Sequence, residues 1–300
     1  MKVHCTILVF LFIVSSSSVL IAEETGYFQS GIVMESLVFD SKILDWNVKY
    51  SIYLPSDYNS STRRYPVVYL LHGATDDETA WVQFGEVNLT ADRAIASRQI
   101  PPMIIVMPDA KLTWFINDYQ GKTRYEDMLI TEFIPYIDKI YRTRTKKEYR
   151  GISGLSMGGY GALITAMRHP DLFTACAAFS SGTWTDEEII KMDDKRYENY
   201  YAKLYGHNLT GKERLSEHYI KHSPLHQAEI LPEETLKSVR WYLDCGDDDF
   251  LYRGNSALHV LLRNRKIPHE YRVRDGAHSW IYWRTGIRNG LKFIAEDFNR

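Results

Sequence analysis

The feature that most constrains the fold is a serine set among glycines, in 151-GISGLSMGGYGAL-163. Gly154, Ser156 and Gly158 fit the pattern Gly-x-Ser-x-Gly, with a β-rich run before them and a helical pattern after them. A chain that passes from strand to helix within one residue turns so sharply that neighbouring side chains collide, and flanking glycines remove the collision. The segment therefore predicts a strand, a tight turn that exposes Ser156, and a helix.

Strand and helix patterns alternate along the rest of the chain. Short apolar runs that end in glycine or polar residues are typical of strands buried on both faces of a sheet. These runs cover 66–73, 103–110, 149–156, 174–182 and 239–246. Helical patterns at 125–141 and 157–169 lie between them, and 30–54 alternates as antiparallel strands do. We expect an α/β fold with a mostly parallel central sheet, helices on both faces, and functional residues at the carboxyl ends of the strands.

The domain organisation follows from length and from two unusual segments. Three hundred residues, 45% of them hydrophobic, suffice for one large α/β domain. Residues 1–22 place Lys2 before an apolar run and then small residues, which is typical of a signal peptide. We therefore expect a single domain over 23–300 that is secreted or periplasmic, without stable membrane insertion. Within it, the charged, tyrosine-rich, helical segment 183–238 is either a lid or cleft wall, or a solvated excursion.

Charge, cysteines and histidines narrow the classes of partner and cofactor. The formal net charge of −2 comes without a basic stripe, so we expect no nucleic-acid partner. Cys176 and Cys245 lie in strand patterns and are expected to be buried free thiols, although a disulfide between neighbouring strands stays open. Three histidines recur at four-residue steps, but a proline interrupts the helix between the last two: His218, His222, Pro224, His226. We therefore expect no metal and no cofactor.

A serine hydroxyl becomes a nucleophile only beside a base, and the base needs an acid to orient it. Of the ten histidines, only His278 lies late in the chain in a glycine-containing loop, directly after the strand pattern at 270–275. The candidate acids end a core strand in a cluster, where we prefer Asp249 and keep Asp248 and Asp247 open. Ser156, Asp249 and His278 are thus the predicted catalytic residues.

Acyl transfer also needs N–H donors for the oxyanion. The residue after the nucleophile supplies one, so the backbone of Met157 qualifies whatever its side chain. The loop after an earlier core strand supplies the second, which we assign to Gly73 or Ala74. Among the tryptophans, Trp280 and Trp81 are the candidates for stacking on a substrate, against the alternative of ordinary packing.

Taken together, six segments in this order resemble the esterase D or "putative esterase" family: 70–73, 101–110, 154–163, 169–182, 244–251 and 276–283. The resemblance spans roughly residues 35–295. It implies an α/β-hydrolase fold, with Ser156 as nucleophile, Asp249 as acid, His278 as base and Met157 in the oxyanion hole. The family includes feruloyl and acetylxylan esterases, short-chain acyl esterases, S-formylglutathione hydrolases and mycolyltransferase relatives.

The sequence and the resemblance together predict a secreted serine carboxylic-ester hydrolase that works without a cofactor. Its expected partner is a small or carbohydrate-linked acyl ester, such as an acetyl or feruloyl ester on plant polysaccharide. Two alternatives stay open. One is an acyltransferase of the same fold that passes the acyl group to a sugar hydroxyl, and the other is a non-catalytic carbohydrate-binding protein.

Overall fold

The computed structural model describes residues 30–298, so the expected signal peptide at 1–22 lies outside the described residues. An eight-stranded sheet with the order β1-β2-β4-β3-β5-β6-β7-β8 forms its centre. The strands are β1 (Ile32–Ser41), β2 (Trp46–Leu54), β3 (Val67–Leu71), β4 (Ile104–Pro108), β5 (Arg150–Leu155), β6 (Ala175–Phe179), β7 (Arg240–Gly246) and β8 (His269–Arg274).

Strand direction divides the sheet into two parts. Strand β2 pairs antiparallel with β1 and β4, whereas the six strands from β3 to β8 all run parallel to one another. The predicted antiparallel start and the predicted core strands are both confirmed. Because the strands from β3 onward point the same way, the loops that follow them all leave at one edge of the sheet.

Helices connect the strands and cover both faces of the sheet. They are α1 (Ala80–Gln83), α2 (Val87–Ala96), α3 (Tyr125–Met128), α4 (Ile134–Ile140), α5 (Met157–Arg168), α6 (Asp186–Lys191), α7 (Asp194–Tyr200), α8 (Ala202–Tyr205), α9 (Glu217–His222), α10 (Pro224–Ile230), α11 (Glu233–Lys237), α12 (Tyr252–Asn264) and α13 (Trp280–Ala295). A π-helical segment, Leu129–Phe133, joins α3 to α4. No helix within residues 30–298 is both long and apolar enough to cross a bilayer.

The core lies in two layers, one on each face of the sheet. Val68 and Leu70 of β3 pack into the layer beneath α2 and α13, whereas Tyr69 and Leu71 pack into the layer beneath α5 and α12. This alternation follows from the two-residue period of a strand, and it explains why β3 is apolar at every position. Both cysteines that the structure describes are free and buried, as predicted.

The predicted insertion at 183–238 comprises α6 to α11 and is attached to the rest of the domain by buried polar contacts. Tyr160 of α5 donates a hydrogen bond to the backbone carbonyl of His222 at 2.7 Å. The carboxylate of Glu126, only 3% exposed, accepts hydrogen bonds from Arg168 Nε at 2.6 Å and from His169 Nε2 at 2.8 Å, and it lies 3.6 Å from His222 Nε2. One buried acid therefore joins α3, the end of α5 and the insertion.

Glu126 is more acidic than an ordinary glutamate. Burial by itself raises the pKa of its carboxyl, but hydrogen bonds from His169 and Arg168 and the close approach of His222 outweigh the burial and hold the pKa well below the usual range. A carboxyl whose pKa is lower in the folded than in the unfolded chain stabilises the fold above its unfolded pKa of about 4.3. That stabilisation is lost progressively as the pH falls through the folded pKa.

We therefore predict that Glu126→Gln lowers the free energy of unfolding by about 3 kcal/mol at pH 7, because it leaves the partly buried guanidinium of Arg168 without its anion. The difference from the wild type should shrink below about pH 4, where the unfolded carboxyl is itself protonated. Urea unfolding of the variant and the wild type, at pH 7 and at a pH below about 4, measures this difference in the free energy of unfolding. As a control, Glu233→Gln breaks the exposed pair with Lys237 and should leave the unfolding midpoint unchanged. An equal loss at both pH values would contradict this account of Glu126.

Candidate active site

Ser156 occupies the single residue between β5 and α5, in a strained backbone conformation. Its φ is 54° and its ψ is −118°. A Cβ at Gly154 would collide with the backbone carbonyl of Gly158, and one at Gly158 would collide with the carbonyl oxygen of Leu71. The two glycines of the motif are thus required because strand and helix approach too closely for any side chain there. The sequence prediction of a strand, a turn and a helix is confirmed.

Backbone hydrogen bonds from β6 and the loop after it hold this turn. The N–H of Ser156 donates to the carbonyl of Phe179 at 2.9 Å, and the N–H of Gly182 donates to the carbonyl of Ser156 at 2.8 Å. Fixing both peptide groups of Ser156 stabilises a φ that non-glycine residues rarely adopt. The hydroxyl is thereby presented at the sheet edge where the parallel strands end.

The structure brings three of the predicted residues into one chain of contacts. Ser156 Oγ lies 2.9 Å from Nε2 of His278, and Nδ1 of the same ring lies 2.9 Å and 3.1 Å from the two carboxylate oxygens of Asp249. The residues come from the loops after β5, β7 and β8, which end at the same edge of the sheet. One hydroxyl, one imidazole and one carboxylate are thus within hydrogen-bonding reach in series.

The other two candidate acids face elsewhere. Asp247 accepts a hydrogen bond from the N–H of Gly276 at 2.9 Å, and both Asp247 and Asp248 are exposed. Asp249 is 1% exposed. Burial raises the pKa of Asp249, but hydrogen bonding and charge interaction with His278, together with hydrogen bonds from Ser180 and the Leu251 backbone, hold it below the ordinary value. Of the three aspartates, the distances single out Asp249.

Three residues around His278 and Asp249 were not predicted from the sequence. Trp283 donates its indole N–H to Ser180 Oγ at 2.9 Å, and Ser180 in turn hydrogen bonds to the Asp249 carboxylate. Phe250 and Trp283 contact the His278 ring, with ring centroids 4.6 Å and 4.8 Å away. The imidazole therefore contacts two aromatic rings, and the acid has a second hydrogen-bond donor. The one sequence signal for Ser180 is its position in 179-FSSG-182, where polar residues follow a core strand.

The candidate oxyanion donors lie beside the nucleophile. Met157 is the first residue of α5, where no intrahelical acceptor exists for its N–H. Gly73 follows β3, and a Cβ placed on it would lie 3.8 Å from Cβ of Ser156. The backbone of Gly73 hydrogen bonds to the carboxyl group of Asp76, whose pKa is raised by burial. Gly73 and Ala74 both line the cavity with Ser156, so both stay candidates for the second donor.

These residues open into a cavity of about 630 Å³. Its lining is rich in aromatic residues, among them Trp114, Trp184, Phe250, Trp280 and Trp283. The insertion supplies one wall through Trp184, Arg196, Tyr200 and Tyr201, so it is not a solvated excursion.

The two tryptophans proposed as substrate contacts differ in position. Trp280 lines the cavity, and its side chain hydrogen bonds to Asp76. Trp81 does not line it. Its ring is 1% exposed, its indole N–H donates to the carbonyl of Leu71 at 2.9 Å, and it packs edge-on against Trp280. The prediction for Trp81 is wrong because the ring is part of the core and acts only as a support for Trp280.

The three histidines spaced by four residues each have a different partner. His218 Nε2 lies 2.9 Å from the carbonyl of Asn117, and His226 Nε2 lies 2.9 Å from the Asp186 carboxylate. His222 Nδ1 lies 2.8 Å from the carbonyl of His218. The His218 and His222 rings lie side by side with centroids 4.2 Å apart, whereas His226 is engaged by Asp186.

Comparison with known proteins identifies the family. Residues 41–294 match the family model described as "Putative esterase". The chain is 38% identical over 146 residues to an endo-1,4-beta-xylanase/feruloyl esterase of Xylanibacter ruminicola, a match that covers 46% of this chain and 20% of that protein. It is 24% identical over 271 residues to an acetyl esterase of Caldicellulosiruptor saccharolyticus, covering 86% of this chain and 96% of that protein.

A solved structure of a ferulic acid esterase superimposes with a TM-score of 0.78 at 32% identity, covering 90% of this chain and 99% of the other. The predicted α/β-hydrolase fold is thereby confirmed. With a family model that extends over most of its length and a nearly complete structural match, the chain belongs to the "Putative esterase" family of α/β-hydrolase-fold serine esterases.

Proposed function

We propose that this protein is a serine carboxylic-ester hydrolase that releases feruloyl or acetyl groups from esters of plant polysaccharide. The observation that carries the proposal is the 2.9 Å contact between Ser156 Oγ and His278 Nε2, continued to Asp249 and open to the cavity. A hydroxyl, a base and an orienting acid in this order are the arrangement that nucleophilic acyl transfer requires.

In the first half of the reaction, Ser156 Oγ attacks the ester carbonyl carbon while its proton passes to His278 Nε2. The tetrahedral intermediate then collapses, the C–O bond to the alcohol breaks, and the alcohol oxygen takes the proton from His278. In the second half, His278 removes a proton from the water that attacks the acyl carbon. The bond from that carbon to Ser156 Oγ then breaks, Oγ takes the proton back from His278, and the free acid leaves. Asp249 remains ionised and stabilises the imidazolium formed in both halves.

Negative charge develops on the carbonyl oxygen beside the first turn of α5. The N–H of Met157 and that of Gly73 or Ala74 are the proposed donors to this oxygen, and each such donor typically contributes about 3 kcal/mol of transition-state stabilisation. Both are backbone groups of residues next to the Ser156 turn and the β3 loop. Their positions are therefore set by the fold and do not depend on a side-chain rotamer.

The acyl group is inferred from the cavity and from the relatives. An aromatic lining of this volume offers stacking surfaces for a feruloyl ring and also admits a smaller acetyl group. Two similar proteins are named feruloyl or ferulic acid esterases and one is named an acetyl esterase. Transfer to a sugar hydroxyl would use the same residues, and product analysis with added xylose distinguishes it from release of free acid.

We predict that Ser156→Ala lowers kcat/KM for methyl ferulate and 4-nitrophenyl acetate by about 10⁴-fold or more, because no other group replaces the nucleophile. It should also abolish covalent labelling by a fluorophosphonate probe. Ser153→Ala is the matched control, since this buried hydroxyl on the same strand donates to the carbonyl of Ala177 at 2.7 Å and faces no substrate. Turnover by Ser156→Ala at the wild-type rate would refute the proposed mechanism.

The choice of acid leads to a second prediction. Asp249→Asn should lower kcat by about 10³- to 10⁴-fold, since an amide cannot stabilise the imidazolium and favours the wrong tautomer of His278. Asp248→Asn, a neighbouring exposed aspartate, should retain wild-type turnover. Steady-state kinetics on 4-nitrophenyl acetate, with circular dichroism to verify folding, measures both variants. A larger loss in Asp248→Asn would exclude Asp249 as the acid.

We also propose that residues 1–22 direct export of the protein to the periplasm or the medium. Expression of the full chain in a Gram-negative host should then yield a periplasmic or secreted protein whose sequence begins near residue 23. Leu11→Arg places a charge in the apolar run and should retain the uncleaved protein in the cytoplasm. N-terminal sequencing of the fractions decides the matter, and an uncleaved wild-type protein in the cytoplasm would rule out export.

A further inference from the structure

Arg196, on α7 of the insertion, is the one lysine or arginine that lines the cavity with Ser156, within the part of the chain that the structure describes. Its guanidinium lies over the ring of Trp184, with the central carbon 4.7 Å from the ring centroid, and 5.6 Å from the ring centroid of Phe250. Over residues 30–298, no hydrogen bond or ion pair engages this guanidinium.

The acidic side chains close to Arg196 are already occupied. Glu187 pairs with Lys191, Glu188 accepts hydrogen bonds from Thr185, and Asp193 accepts one from the backbone N–H of Arg196 itself. The two carboxyl groups near the nucleophile are engaged as well, Asp249 with His278 and Asp76 with Gly73 and Trp280. None of these described carboxylates forms an ion pair with the guanidinium, which lies in a partly buried aromatic environment.

Such a group has a specific chemical preference. Stacking on Trp184 covers one face of the guanidinium but leaves its in-plane N–H donors free, and these match the two oxygens of a carboxylate. A neutral hydroxyl would use one donor and leave the charge unpaired, whereas a carboxylate neutralises it away from bulk water, where the attraction is stronger. The aromatic surfaces beside it suit the apolar face of a sugar ring.

The distance to the catalytic residues limits where that carboxylate can be. The Phe250 centroid is 4.6 Å from that of the His278 ring and 5.6 Å from the Arg196 guanidinium carbon. The guanidinium is thus at most about 10 Å from the catalytic imidazole. A second cavity of about 490 Å³ shares Trp184 and Arg196 with the first, so space continues past Arg196 for the rest of a larger substrate.

We propose that Arg196 binds a carboxylate on the substrate, so that the enzyme prefers acidic esters to neutral ones. The inference rests on the ester hydrolysis proposed above and specifies its substrate class. The carboxylate has two possible sources: a uronic acid unit next to the esterified sugar, or the far end of a dicarboxylic acyl group. Both present the same chemistry to the guanidinium.

Two matched substrate pairs test the proposal and separate the sources. The sugar pair is an acetylated xylo-oligosaccharide with and without a glucuronate branch. The acyl pair is 4-nitrophenyl hydrogen adipate against 4-nitrophenyl hexanoate. Wild-type enzyme should favour the acidic member of at least one pair by about tenfold or more in kcat/KM, and added NaCl should reduce that preference. The pair that shows the preference identifies the source.

Arg196→Gln should reduce the acidic-to-neutral ratio by the same factor, and Arg196→Lys should restore part of it. Arg144→Gln is the matched control because it removes a guanidinium that lies over Tyr149, away from the cavity, and should leave the ratio and the activity unchanged.

Equal rates on the acidic and neutral members of both pairs would overturn the proposal. So would an Arg196→Gln variant that loses activity equally on all four substrates, since that result indicates a purely structural role. Hydrolysis of 4-nitrophenyl acetate by the wild type, and its loss in Ser156→Ala, reports separately on the proposed function. An enzyme inactive on that ester would overturn the proposed function, and this inference with it.

Discussion

The turn between β5 and α5 holds Ser156 at a φ of 54°, and the surrounding structure is arranged to keep it there. Such a conformation costs of order 1–3 kcal/mol for a residue other than glycine. Hydrogen bonds to both peptide groups of Ser156 and glycines at the two points of closest approach maintain it. The strain has a geometric result: the serine side chain points away from the sheet instead of into the core, beside the free N–H groups at the start of α5.

The second requirement is that an acid buried behind the histidine stays ionised. Asp249 is nearly inaccessible to solvent, which disfavours its charge, and donors from His278, Ser180 and the Leu251 backbone compensate. Phe250 and Trp283 meanwhile confine the His278 ring. Neither the acid nor the base is placed by its own loop alone. Asp249 depends on Ser180, which follows β6, and His278 depends on Trp283 of α13 and on Phe250, which precedes α12. The positions of the acid and the base are therefore set by contacts between distant segments.

The fold and the central residues could be predicted from the sequence because they follow from local pattern. Apolar runs marked the strands, and the motif around Ser156 marked the turn. Asp249 could only be narrowed to three neighbours, because which aspartate meets His278 depends on how the loop after β7 folds. Ser180 and Arg196 were not predicted because their roles arise from contacts between distant segments. Trp81 was wrongly predicted to contact substrate, because the sequence does not show whether an aromatic residue lines a cavity or packs behind its wall.

The insertion at 183–238 leaves the sheet after β6 and returns at β7, and it reaches the rest of the domain through contacts such as those of Tyr160 and Glu126. It contributes Trp184, Arg196 and Tyr200 to the cavity but none of the three residues in contact around His278. The segment that forms one wall of the cavity is thus separate in sequence from Ser156, Asp249 and His278. A substitution on that wall can change the shape or charge of the cavity while the contacts among those three residues stay in place.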